Sequence, residues 1–158
     1  MFEMIPIGWV RGGRTEAIDD DWGSVESVIE LDGKVVDASA VIGLDEFSHI
    51  EVVFVFDRVD KSAIVRNARY PRGNSEWPMV GILAQRAKAR PNRIGICTCE
   101  LIGIDGGRVR VRGLDAIDGT PVLDIKPYMR EFAPRSEVRQ PTWSSELMAG
   151  YWGTGSRP

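Results

Sequence analysis

The chain has 158 residues, of which 43% are hydrophobic and 27% charged, and its formal net charge is -3 at pH 7. That is the size and make-up of one globular domain around a single core. It excludes a globally basic nucleic-acid binder, so an anionic partner has to be held by a local patch rather than by the overall field. No apolar run approaches the length needed to cross a bilayer, and the start Met1 to Pro6 lacks the basic and apolar regions of a secretion signal. The expected location is therefore cytoplasmic. Cys97 and Cys99, with His49 as the sole histidine, do not make a metal constellation. No metal is expected, and the two cysteines read as reduced packing residues on one face of a strand.

Strand signals dominate the chain order. Ile5 to Val10 is a short apolar run, and Val25 to Leu31 alternates before Asp32-Gly33, which predicts a hairpin into Lys34 and beyond. Ile50 to Phe56 is β-branched and aromatic throughout, the pattern of a strand buried on both faces. Gly43 to Ser48 has room for a helical turn or two. Arg58 to Pro78 reads as a long connection rich in arginine, proline and glycine, a kind of loop that is usually functional. Met79 to Leu83 is a further short strand. Ile94 to Ile104, Asp105-Gly106-Gly107 and Arg108 to Gly113 form the clearest hairpin, and Pro121 to Ile125 adds one more strand. After Phe132 the sequence reads as a tail, with a short helix over Ser144 to Tyr151. Its Trp143, Tyr151 and Trp152 need burial somewhere. Many short strands at regular spacing predict an all-β fold, a small closed β-barrel with few short helices and not a Rossmann sheet. The expected organisation is a barrel over 1–130 and a tail over 131–158 docked on that barrel or on a partner subunit.

Polar residues collect in a few places. Arg86, Lys88, Arg90 and Arg93 make a basic run around Pro91-Asn92, and guanidinium groups there suit either a carboxylate or phosphate clamp or a solvated loop. Asp115 to Asp124 surrounds the tight Asp118-Gly119 turn. There Asp115 is either a ligand acceptor or a cap on the turn, and Asp124 with Lys126 makes a local ion pair. Arg108, Arg110 and Arg112 alternate with valines, giving a cationic face that tracks a nucleic-acid backbone or simply meets solvent. His49 precedes the most apolar strand, as a base or as a backbone-bonded histidine. No Gly-x-Gly-x-x-Gly, Walker or Gly-x-Ser-x-Gly motif occurs.

Four segments together resemble a known family. They are Pro6 to Gly8, Gly-Leu-x-x-Phe-Ser-His at Gly43 to His49, Arg-Pro-Asn-x-Ile-Gly at Arg90 to Gly95, and Gly-Leu-Asp-Ala-x-Asp-Gly-Thr-Pro-Val-Leu-Asp-Ile-Lys-Pro-Tyr at Gly113 to Tyr128. In this order they are similar to the TrmO/YaeB-like proteins. The resemblance implies a β-barrel that binds S-adenosylmethionine, a homodimer, and methylation of N6 of threonylcarbamoyladenosine beside the anticodon of tRNA. It implies cofactor contacts at Asp20, Asp21, Trp22, Asp57, Arg58, Arg86, Ile96, Leu114, Asp115, Ala116 and Ile117. It implies substrate contacts at Arg90, Asn92, Asp118, Lys126 and Tyr128, with Trp22 or Tyr128 able to stack on adenine. The segment Asp19 to Trp22 departs from the better-known members, Arg93 stands where a second proline is usual, and Ala87 stands where serine is usual. No counterpart to the C-terminal domain of the longer members is expected. No residue stands out as a catalytic base. Beside transfer to tRNA or to another acceptor stand two rivals, a module that binds the cofactor without transferring and a plain RNA-binding barrel.

Overall fold

The computed structural model describes residues 1–153, so the last five positions of the expected tail lie outside the described residues. Six strands close a barrel: β1 Gly8–Arg11, β2 Glu26–Leu31, β3 His49–Val55, β6 Ile94–Asp105, β7 Arg108–Arg112 and β8 Pro121–Pro127. Their order around the barrel is β1-β2-β7-β6-β3-β8, and every pairing is antiparallel. Two-residue strands β4 Ala68–Arg69 and β5 Val80–Gly81 pair with each other inside the long β3–β6 connection. Among the described residues, helical structure is confined to 3-10 turns and one α-helix, α1 Thr142–Met148. The expected closed all-β fold is what forms.

Alternation explains the core. One face of each strand points inward and is filled, by Val10, Ile29, Ile50, Val52, Phe54, Cys97, Cys99, Val109, Val111 and Val122, with Leu114 and Ala116 added from the β7–β8 loop. The interior of a six-stranded barrel is narrow, so side chains pack it solid and leave no ligand space inside. Room for the Phe54 ring comes from its cross-strand partner Gly95, and the ring meets Phe56 edge-on at 5.2 Å. The β6–β7 register slips between Leu101 and Gly103, and the β3–β8 register slips between Val53 and Phe54. Such bulges bend strands and sharpen twist where a sheet must close.

Three local expectations are not met. Asp32 begins a turn that leads to a 3-10 turn at Ala38–Val41 and not to a hairpin strand, because β2 finds its partners in β1 and β7. β3 is buried on one face only; Glu51, Val53 and Val55 on the other are partly exposed. Met79 to Leu83 shrinks to β5 and a 3-10 turn at Ile82–Ala84. The hairpin around Gly106, whose φ of 56° suits a residue without Cβ, forms as expected.

Gly95→Ala places a Cβ 2.4 Å from Phe54 Cε2 and 2.5 Å from its Cζ, so the core must shift. The expected loss is about 1–3 kcal/mol, the scale of core overpacking, read as a lower urea midpoint at unchanged slope. Gly103→Ala meets nothing within 4 Å and serves as the control, with its midpoint near wild type.

Candidate functional site

Antiparallel closure sorts the loops between two mouths. The end of β1, the start of β2, the end of β7, the start of β6, the end of β3 and the start of β8 share one mouth. That mouth therefore carries the β1–β2 loop, the long β3–β6 connection and the β7–β8 loop. Asp20, Asp21, Trp22, Asp57, Arg58, Arg86, Arg90, Asn92, Leu114, Asp115, Ala116, Ile117 and Asp118 all lie on these segments, with Ile96 two residues into β6. Lys126 and Tyr128 do not join them. β8 spans seven residues, about 20 Å of extended chain, and carries both to the far mouth. There Tyr128 N donates to His49 O, and Lys126 pairs with Asp124 at 2.8 Å. Within one chain these two residues cannot face the ligand expected at the first mouth.

The β7–β8 loop is held rigidly in the first mouth. Leu114 and Ala116 alternate into the core, which turns half-buried Asp115 and Ile117 toward the loops. Asp118 Oδ1 accepts from Gly12 N at 2.8 Å, Asp118 N donates to Arg14 O, and Gly119 N donates to Val10 O. Arg58 Nη2 donates to Asp118 O at 2.9 Å, tying the end of β3 to the same turn. Gly119 has a φ of 86°, which the tight turn requires. Asp118, expected at the substrate, is thus spent on holding the loop.

The arginines beside the loop follow suit. Arg86 Nη2 donates to Ile96 O at 2.8 Å, on the outer wall of β6, where Ile96 is 45% exposed. Arg90 Nη1 donates to Gln85 O at 2.8 Å, and Arg93 Nη1 reaches Asp57 O and Val59 O. Arg93 has a φ of 54°, a left-handed backbone that proline's ring forbids, so the turn after Asn92 differs in conformation from one with proline there. Asn92, Asp57, Arg58 and Arg86 remain exposed at the mouth.

Residues 20–22 are engaged within the chain itself. Asp20 pairs with Arg72 at 3.0 Å, while Asp20 O and Asp21 O accept from Arg14. Trp22 is buried, its Nε1 donates to Ile18 O, and the Arg14 guanidinium covers its ring at 4.6 Å. No open indole face is left for a base to stack on. The N–H groups of Asp21, Trp22 and Gly23 donate in turn to the carbonyls of Gly150, Tyr151 and Trp152. The C-terminal segment is therefore docked on its own barrel. Trp77 Nε1 fixes its helix through Glu146 Oε2 at 2.7 Å.

That docking brings in a residue the sequence reading did not place at the site. The Tyr151 hydroxyl donates to Asp115 Oδ2, whereas Asp115 Oδ1 is shielded from solvent and has no hydrogen-bond partner. Only the need of the tail aromatics for burial hinted at this. Burial raises the Tyr151 phenol well above its ordinary value, with the Asp115 charge adding to it. Burial, aided by the Asp115 field, pushes the Cys99 thiol up to about 12 and raises Cys97 well above its ordinary value. Elsewhere the arginine ladder on β7 is largely neutralised. Arg108 binds Glu30 at 3.1 Å, Arg112 binds Glu26 at 2.7 Å and Glu100 at 2.9 Å, and only Arg110 lacks an ionic partner among the described residues. A continuous phosphate track along β7 is not what this strand presents.

Comparisons with known proteins agree with the barrel and its loops. The tRNA-methyltransferase O N-terminal domain matches residues 20–133. A probable S-adenosyl-L-methionine-binding protein of Methanothermobacter thermautotrophicus is 39% identical over 130 residues, covering 80% of this chain and 89% of that protein. The human tRNA (adenine(37)-N6)-methyltransferase is 36% identical over 102 residues, covering 65% of this chain and 23% of that protein. A crystal structure of TrmO superimposes with a TM-score of 0.73 at 29% identity, covering 89% of this chain and 63% of that one. The chain thus spans about a quarter of the human relative's length and nine-tenths of the archaeal one's.

The two thiols, both free and buried, should resist an aromatic disulfide reagent at pH 8 until the protein is unfolded, when both react; rapid labelling of the folded protein would contradict their placement. Their folded values lie above the ordinary 9.0. The stability they contribute is therefore complete below pH 9 and falls away as pH climbs toward 12.

Proposed function

The chain belongs to the tRNA-methyltransferase O N-terminal domain family, and we propose on that footing that it is an S-adenosylmethionine-dependent methyltransferase acting on tRNA. The acceptor we propose is N6 of threonylcarbamoyladenosine next to the anticodon, and the setting is the cytoplasm. The observation that carries this reading is convergence. Asp57, Arg58, Arg86 and Leu114 to Ile117 lie on separate segments of the matched region, and the fold collects them at one mouth of a barrel whose interior is closed to ligands.

The residues present fit a sulfonium nucleoside. Asp115 offers a shielded carboxylate oxygen without a partner, the kind of acceptor that costs free energy until a donor or cation arrives. Arg86 has guanidinium N–H groups left over for a carboxylate after its bond to Ile96 O, and exposed Ile96 supplies apolar surface beside it. S-adenosylmethionine, when bound, supplies an electrophilic methyl that the acceptor nitrogen takes in line, the S–C bond breaking as the N–C bond forms and the N–H proton passing to solvent. The chain's own contribution is to hold donor and acceptor in line and keep water away, which is catalysis by positioning. An N–H beside a carbonyl is already acidified, so no strong base is required of the protein.

The organisation we propose is a barrel over 1–130 with the following segment strapped across its first mouth, assembled as a homodimer. Support for the dimer comes from the far mouth. Phe2, Met4, Ile5, Ile42, Met129 and Phe132 are all exposed on the chain segments that meet there, more apolar surface than one loop cluster normally leaves in water. In a dimer, Lys126 and Tyr128 reach substrate only across the subunit interface. Arg90 and Asn92 stay on the substrate side of the first mouth.

Radiolabelled methyl from S-adenosylmethionine should be retained on tRNA carrying the threonylcarbamoyl group and not on tRNA lacking it. Binding of the cofactor with no transfer to any tRNA would leave a sensor module instead. Arg86→Ala and Asp115→Ala should each weaken cofactor affinity by about tenfold or more in titration calorimetry, the scale of a lost charge-assisted contact. Unchanged affinity in both would refute the site.

A further inference from the structure

Asp115 is the centre of a small constellation that binding alone does not explain. Oδ2 accepts from the Tyr151 hydroxyl, contributed by a residue outside the matched region 20–133. Oδ1 is out of contact with solvent and has no partner. Cys97 and Cys99 lie behind it, both buried and free, and Cys97 Sγ is occupied by Gly113 O at 3.3 Å. A carboxylate shielded from solvent, with a neutral donor and no ion-pair partner among the described residues, acts across several ångströms with little screening. Burial is the main cause of the raised Cys97 and Cys99 thiols and the raised Tyr151 phenol, and the neighbouring Asp115 charge adds to each. A charge of this kind distinguishes ligands by their charge more than by their shape.

Resting on the methyltransferase reading, we propose that Asp115 is a specificity residue that favours the cationic sulfonium cofactor over its neutral thioether product, and that Tyr151 is the positioning residue that holds it for this task. The two compounds share adenosine, amino and carboxylate groups. They differ by one methyl and by the charge on sulfur, so their affinity ratio isolates the charge. Once the methyl has left, the attraction to Asp115 falls, which favours release of the product and turnover. Tyr151 acts through Asp115. Its bond to Oδ2 fixes the rotation of the carboxylate, and three backbone bonds from residues 21–23 fix Tyr151 and its neighbours in turn.

The test is titration of the full chain with S-adenosylmethionine and with S-adenosylhomocysteine. Wild type should prefer the sulfonium. Asp115→Asn, which keeps the shape and removes the charge, should shift the ratio of the two affinities toward the thioether by about tenfold. Tyr151→Phe should shift it the same way by about threefold, and it remains informative if the Asp115 variant fails to fold. A role confined to structure would weaken both compounds in proportion. An unchanged ratio in a wild type that binds the cofactor and in both variants overturns this proposal alone. A wild type that binds neither compound overturns the cofactor reading, and this proposal with it.

Discussion

A packed barrel interior governs everything else in this molecule. Ile29, Ile50, Val52, Phe54, Val109, Val111 and Val122 fill the lumen from wall to wall, with Leu114 and Ala116 pressed in from one end. Nothing can bind inside such a barrel, so chemistry is confined to the loops at its rims. The Leu114–Ala116 plug has a second effect. Because those two side chains point inward, Asp115 between them must point toward the loops, and the position of the acidic group is set by core packing.

Rigidity at the mouth comes from polar contacts between segments distant in sequence. Asp118 joins the β7–β8 loop to Gly12 and, through its carbonyl, to Arg58. Arg14 joins the carbonyls of Asp20 and Asp21 while lying over Trp22. Each of these contacts is modest, and most are partly exposed, so none is a large stabiliser alone. Together they fix a surface whose working groups need orientation more than strength. Asp118, Asp20 and Trp22 serve as fixtures of that surface, whereas Asp115 and Arg86 keep unspent hydrogen-bonding capacity beside exposed Asp57 and Asn92.

Some of this was legible in the chain. The β6–β7 hairpin was readable because both strands and their Gly-containing turn are contiguous, so local chemistry decides the pairing. The alternating valines of β7 and the buried cysteines of β6 followed from the two-residue period of a strand. The strand expected after Asp32-Gly33 did not form, since the partners of β2 lie before it and about eighty residues after it. Closure of the sheet outranked a good local turn. Lys126 and Tyr128 stand with Asp118 among the expected substrate contacts because they share one continuous motif, but a strand that crosses the barrel separates the two ends of that motif.

Sequence by itself determined the all-β class, the barrel, the hairpin and the segments that carry polar chemistry, because these depend on local period and turn residues. It also determined which family the chain resembles. Only the tertiary structure decided which polar groups are free and which are consumed. It buried the Trp22 ring, gave the 21–23 amides to the C-terminal segment, and brought the Tyr151 hydroxyl to Asp115 across 36 residues. The physical reason is that hydrogen-bond partners at a rim come from different loops, and their meeting is set by the closure of the barrel rather than by any one stretch of chain.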